Sequence, residues 1–488
     1  MFLKDSNILQ KIEDDRTNKY VCSIEIGEKF NESINLLFRN RHDLIESVDK
    51  MIADIISKRL NVGGSFPISS PVIGKNYVFN GELYKLKGHY PLKKMVVSIR
   101  NVYLLFDDGT MKVVGYNGYG HCTGDNTTTR VDYWKDFPGQ LSSGVKIADV
   151  WAWNYDTYIK GTDGAIYVFG RNNTGALGLG NTTNVKVPTK ITFVFPSEVV
   201  DMKFCGGVDY TTAWFICKNG EIYCSGNNDN GQFGNGTNTV SNVPYNMTTF
   251  FTSRIVEIAS GSYTTTGGNT MYRCEDGAIF VTGYNNVGQL GDGTTVNKNV
   301  LAPIKLSLPA NSKVTGMATG GGVSSVIVNK TEIWSCGYGG TGAKGDGVTS
   351  NSSSFTKIID FGIPIKKLLH YASVAGEAFS ACLLDDGQMW VCGYNGNGQL
   401  GLKHATNQTY WTKIDTMAKI IDFGLSYRGL HMLTENYEIQ IYGNNDQCQL
   451  GDGTTIVNNM ATRSASIVIR PVAKSSYSEP DSDFQQIL

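Results

Sequence analysis

An all-β fold is predicted, a seven-bladed β-propeller preceded by an extended N-terminal arm and an amphipathic α-helix. Three observations carry the propeller. A glycine ending an apolar strand recurs at Gly115, Gly170, Gly226, Gly283, Gly337, Gly393 and Gly443, at spacings of 55, 56, 57, 54, 56 and 50 residues. Six residues before each lies a turn, with Gly109, Gly164, Gly220, Gly277 and Gly387 following Asp or Asn, while Thr331 and Tyr437 depart from the pattern. After each marker stand Asn two residues on (Asn117, Asn172, Asn228, Asn285, Asn395, Asn445; Gly339 in the fifth unit) and a small residue five on (Gly120, Gly175, Gly231, Gly288, Gly342, Gly398, Cys448).

The unit is clearest at Leu383–Gly401, where Asp386-Gly387 separates two apolar runs. Asp-Gly supplies the positive φ of a two-residue primed turn at low cost, so the stretch reads as a hairpin followed by a glycine-punctuated loop. With further strand-like runs such as Val256–Ala259 and Tyr410–Ile414, each unit offers about four short strands, the content of one propeller blade. A lone blade cannot bury both faces of its sheet, so seven close into a ring. Closure is expected to take one strand from an end of the repeat region, either Val78–Phe79 with Leu83–Leu86 or Ser466–Pro471.

Taken in order, residues 1–30 are polar and mixed and read as an arm, with one alternating run, Tyr20–Ile26, that could form an isolated strand. Residues 31–62 change period. Ile34, Leu37, Leu44, Val48, Met51 and Ile55 fall three and four apart, with Arg41 in the missing seam position and charged residues on the other faces, which predicts an amphipathic helix for docking or oligomerisation. Asn31 caps its start and Gly63-Gly64 stops it. Residues 63–91 are a Gly/Ser/Pro-rich linker with the candidate closing strand, 92–472 the propeller, and 473–488 a polar tail.

Composition narrows the function classes. A formal charge of −1 over 488 residues gives no general attraction to nucleic acid or anionic membrane. No run of about 18 apolar residues and no signal-peptide core is present, so a cytoplasmic product with no membrane insertion is expected. Ten cysteines lack a Cys-x-x-Cys pair and read as buried hydrophobes. Asp107-Asp108 and Asp385-Asp386 sit in turns, where Asp is favoured on backbone grounds. Gly-Asp-Gly-Thr-Thr at 291–295 and 451–455 has too few oxygen ligands for a calcium loop. The six histidines show no metal-like spacing. No catalytic residue, metal or cofactor is assigned, and the chain is read as not an enzyme.

The tract Asp386–Gly401, with Gly283–Gly293 and Gly226–Gly236, resembles the repeat of the regulator-of-chromosome-condensation family over about residues 92–470. The resemblance implies a seven-bladed propeller. Its members serve as nucleotide-exchange factors, ubiquitin-ligase modules, light sensors, enzyme inhibitors and scaffolds. The family's Gly-x-x-His-Thr segment lacks its His here (Gly261–Thr264, Gly207–Tyr210), and neither a basic tail nor a tryptophan cluster is present, so no functional residue is carried over. The Asn/Thr/Gly-rich loops lead to the expectation of a non-catalytic scaffold anchored through the arm and helix in a large assembly, a virion component such as a phage tail or fibre. The alternatives are a receptor- or glycan-binding head, or a cellular regulator binding a small GTPase.

Overall fold

The computed structural model describes residues 11–15, 19–25, 33–38, 76–79, 82–85 and 92–465, the last apart from 126–128, 208–209, 264–266, 373–375, 417, 436–438, 450–454 and 456–457. The chain divides into two units, residues 90–471 and residues 1–89 with 472–488.

In the larger unit the described residues form seven four-stranded antiparallel sheets, blades one to seven, spanning 92–136, 147–190, 199–246, 255–304, 314–360, 365–413 and 420–465. Each is a meander of four consecutive strands. First strands of neighbouring blades meet around the axis, whereas fourth strands such as Arg130–Asp136 and Val185–Lys190 turn much of their surface outward.

Apolar runs that do not alternate have a direct cause. The second strand of blade one, Asn101–Phe106, is buried throughout. Its pleat sends Tyr103 and Leu105 into a core shared with blade two, and Val102, Leu104 and Phe106 into a core shared with blade seven. Comparable cores join blades two to three, three to four, four to five, five to six and six to seven.

The hairpins differ from the primed turns expected. At Asp385–Gly387 only Gly387 takes positive φ (+88°). Its N–H donates to the Leu384 carbonyl at 3.0 Å, and Leu384 pairs with Gln388 across a three-residue loop. This is a turn closed by a left-handed glycine bulge, and Asp386 Oδ1 accepts from the Gln388 N–H at 3.0 Å. Blade five, which lacks Asp-Gly, places two successive residues in the left-handed region, Asn329 (φ +52°) and Lys330 (φ +70°).

Ring closure corrects the expectation of a borrowed strand. Blade seven takes all four strands from 420–465, and the hairpin of Asn76–Phe79 with Glu82–Lys85 forms a sheet of its own. Side-chain burial joins the ends instead: Leu433, Ile439 and Ile441 of blade seven pack with Met95, Leu104 and Phe106 of blade one. The Tyr427 N–H donates to the Ile99 carbonyl at 2.7 Å. A Cβ at Gly424 would lie 2.5 Å from Val97 Cβ, so this seam needs glycine to close.

In the smaller unit, β1 (Lys11–Asp15), β2 (Lys19–Glu25) and β3 (Ser33–Phe38) form an antiparallel sheet in the order β1-β2-β3. The arm expected at 1–30 thus contains a hairpin, and within the run noted at Tyr20–Ile26 residues Tyr20–Ser23 are paired on both sides. The start of the expected helix is also corrected, since Ile34 and Leu37 lie in β3, opposite Ile24 and Val21. A short apolar run satisfies both periods, and pairing with an adjacent strand decides between them. Leu44, Val48, Met51 and Ile55 lie outside the described residues, as do the rest of 39–62 and the tail at 473–488.

Candidate interaction face

In a four-stranded meander, the connections between strands one and two and between strands three and four open at the same end of the blade. At that end of blades six, seven, one and two, tyrosines and arginines converge. Tyr116, Tyr119 and Tyr155 form a cluster with ring centroids 5.1 to 6.5 Å apart, and His121 joins it at 5.3 Å from Tyr155. Arg171 stacks on Tyr119 at 5.2 Å and on Tyr155 at 6.0 Å. Arg100 lies 5.9 Å from the Tyr116 ring and 5.1 Å from that of Tyr427, and Arg428 lies 4.9 Å from Tyr427. Arg428 also forms a two-pronged ion pair with Glu377, Nε to Oε2 and Nη2 to Oε1, both at 2.5 Å. Guanidinium over an aromatic face is favourable by itself and keeps the donors turned outward for a further partner.

The electrostatics of this end favour positive charge. Burial pushes Asp156 up to about 8, against the opposing effects of a Thr211 hydrogen bond and the Arg171 charge, so it is largely protonated at neutral pH. Burial, aided by the Arg100 charge, lowers His121 to about 3 and keeps it neutral. Arg100, Arg171 and Arg428 thus bring three guanidinium groups to this end, with Arg428 paired to Glu377.

Two of the motifs weighed in the sequence make local hydrogen bonds, while residues 451–454 of the second Gly-Asp-Gly-Thr-Thr lie outside the described residues. Asp108 accepts from the Thr110 N–H at 2.9 Å and the Thr110 hydroxyl at 2.7 Å. Asp292 caps Thr294 at 3.0 Å and pairs with Lys298 at 3.3 Å. The repeated Asn fastens its loop. Oδ1 accepts the N–H of Leu177, Phe233, Leu290 or Leu400 at 2.9 to 3.0 Å in blades two, three, four and six. His370 and His431 are buried, and burial lowers each to about 3. The cysteines of the propeller unit, Cys122 to Cys448, are buried free thiols, with Cys122 and Cys205 pushed up to about 12 by burial. Among the described residues no group of three His, Cys, Asp or Glu could hold a metal ion, and no helix is long and apolar enough to cross a membrane.

Of the residues assigned to docking, only Ile34 and Leu37 fall in described structure, within β3. The structure draws attention instead to Arg100, Tyr116, Tyr119, Tyr155, Arg171, Tyr371, Tyr427 and Arg428, which the sequence did not single out. The available signal was the residue after each marker glycine (Tyr116, Arg171, Asn227, Tyr284, Tyr338, Tyr394, Asn444), a variable place beside invariant ones.

Models of the regulator of chromosome condensation (RCC1) repeat match residues 163–214, 219–267 and 276–327, and a second model of that repeat matches 374–399. The chain is 27% identical over 322 residues to the X-linked retinitis pigmentosa GTPase regulator of Canis lupus familiaris, covering 55% of this chain and 31% of that protein. It is 26% identical over 254 residues to the ultraviolet-B receptor UVR8 of Arabidopsis thaliana, covering 52% and 53% respectively. The chain thus spans about a third to a half of these relatives. The crystal structure of Prp20p from Saccharomyces cerevisiae, a protein described with binding properties to Gsp1p and histones, superposes with a TM-score of 0.55 at 20% identity, over 68% of this chain and 79% of that one. Each of the three longer matched stretches begins at or near a hairpin of one blade and ends in or just before the second strand of the next, so the repeat is out of phase with the blade. The chain carries regulator-of-chromosome-condensation repeats at these residues, set in a seven-bladed β-propeller.

Proposed function

We propose that the propeller is a protein-interaction module of the regulator kind, and that it receives its partner on the Tyr/Arg end of blades six, seven, one and two. The carrying observation is the convergence of Arg100, Arg171 and Arg428 with Tyr116, Tyr119, Tyr155 and Tyr427 at one end of the ring. Tyr and Arg dominate binding energy at protein interfaces because each supplies large, rigid contact area together with hydrogen-bond donors. The expectation of a virion component finds no support in the relatives, whose names are those of a GTPase regulator and a receptor. The reading of a cellular regulator with a small GTPase as partner is the better supported one.

Two measurements test this reading on the full chain. A photo-crosslinking residue replacing Tyr119 should capture a protein partner, while the same residue replacing Tyr133, which is 67% exposed on an outer strand, should not. Release of a fluorescent nucleotide from purified small GTPases should be accelerated by the chain and less so by Arg100→Ala. Equal capture at both positions would reject the face, and unchanged release across the panel would reject the GTPase partner.

A further inference from the structure

At the axial edge of this face two donors stand without acceptors. Arg100 forms no ion pair among the described residues, and its Nε is buried with no hydrogen-bond partner. The Tyr371 hydroxyl, on a side chain 5% exposed at the end of the first strand of blade six, also lacks a partner. Buried polar groups are almost always satisfied, and leaving one unsatisfied is costly, so two orphans in one neighbourhood indicate a missing acceptor. They do share a neighbourhood. Arg100 and Arg428 both lie over one ring, Tyr427, at 5.1 and 4.9 Å from its centroid. Tyr371 and Ile99, the neighbour of Arg100, belong to one buried cluster against which Tyr427 packs. The charges of Arg100 and Arg428 both favour the ionised form of Tyr371, although burial pushes that hydroxyl up overall.

We propose that Arg100 and Tyr371 form the anchor for a single carboxylate, an Asp or Glu side chain on an exposed segment of the protein partner. This rests on the interaction-face reading and names the chemistry of its partner. Charge matching selects a carboxylate. Glu377 already neutralises Arg428, leaving Arg100 as the guanidinium without a counter-charge at this edge. A monoanion completes the pairing, whereas a phosphate dianion would bring an excess negative charge against one guanidinium. Planar guanidinium donors match a carboxylate in two-pronged geometry, the Tyr371 hydroxyl adds a third donor, and the rings of Tyr116 and Tyr427 flank the site with apolar surface.

The test is fluorescence anisotropy of the full chain with two labelled hexapeptides, one of glutamate and one of glutamine, and with inorganic phosphate as competitor. The glutamate peptide should bind more tightly than the glutamine peptide, and more weakly as salt is raised. Arg100→Gln should weaken glutamate-peptide binding about tenfold, the scale of one charge-assisted hydrogen-bonded pair. Tyr371→Phe, which keeps the buried ring, should weaken it about threefold and provides a readout even where Arg100→Gln does not fold. Lys190→Gln, on the outer strand of blade two, should change nothing. Equal affinity of wild type and both variants for the glutamate peptide would overturn the anchor. Arg100-dependent binding of phosphate without binding of the peptide would overturn the carboxylate. A partner captured at Tyr119 but insensitive to Arg100→Gln would leave the face standing and remove the anchor.

Discussion

Replacement of Asn395 by Ala isolates the role of the repeated Asn. The side chain is fully buried. Its Oδ1 accepts the Leu400 N–H at 2.9 Å, and its Nδ2 donates to the His404 and Thr406 carbonyls at 2.7 and 3.2 Å. Alanine removes all three partners at once. Leu400 is fully buried, so its orphaned N–H bears the full desolvation cost, about 1–3 kcal/mol, while the two carbonyls lie beside exposed residues and water replaces part of what they lose. The sum is roughly 3 kcal/mol, a large share of the ~5–15 kcal/mol that holds a domain together. Urea unfolding of the full chain should show a lower midpoint with an unchanged slope, because the folded surface is the same. Hydrogen exchange should show the Leu400 amide losing protection in the variant while amides of blade three keep theirs. A midpoint shift below about 0.5 kcal/mol, or an unaltered Leu400 amide, would refute the reasoning, since that is the range of a surface substitution that touches nothing.

Three further outcomes are expected. Gly393→Ala should destabilise by more than about 1 kcal/mol in the same unfolding assay, because Gly393 holds φ +103° and an added Cβ would lie 2.6 Å from the Ala378 carbonyl oxygen. A double-mutant cycle on Lys367 and Asp422, paired at 2.7 Å between blades six and seven and each about a third exposed, should give a coupling of about 0.5 kcal/mol that shrinks in high salt. Asp156→Asn should raise the melting temperature increasingly from pH 4 to pH 8. Burial lifts Asp156 from 3.8 to about 8, so across that window the folded chain holds a proton the unfolded chain has released, and stability conferred at low pH is lost as the pH rises. Equal melting shifts at pH 4 and pH 8 would contradict it.

The blades were legible in the sequence because glycine has few substitutes at positive φ. Gly115, Gly170 and their counterparts recur at fixed offsets since every blade needs the same backbone conformation there. Where glycine lapses, the conformation persists, and Cys448 holds φ +60° in the place of Gly398 (φ +71°). The two-residue turn was misread because Asp-Gly is compatible with both a primed turn and a glycine bulge, and the choice depends on pairing across the hairpin. Closure was not legible, because whether an end strand is lent or kept depends on how well Met95, Phe106 and Ile441 fill the seam, a three-dimensional property. The helix reading failed at Ile34 and Leu37 for a related reason, since three-residue spacing in a short run does not exclude a strand. The candidate face was invisible as a motif. Arg100, Tyr155, Tyr371 and Tyr427 come from four blades, and each alone reads as an ordinary variable residue of its repeat.

The place of that face in the ring links function to stability. Blades seven and one are the ends of the propeller, and among the described residues no strand is shared between them, so their joint rests on side-chain packing and on the backbone bond from Tyr427 to Ile99. Arg100 and Tyr427, on either side of that bond, are also where the proposed partner carboxylate is received. A partner that touches both blades binds only the closed ring, and any ligand selective for the folded state stabilises it in proportion to its saturation. Binding at this face should therefore raise the urea midpoint of the full chain and slow exchange of the Tyr427 amide more than that of amides across the ring in blade four. A rise in the midpoint with no change at Tyr427 would place the partner elsewhere on the propeller.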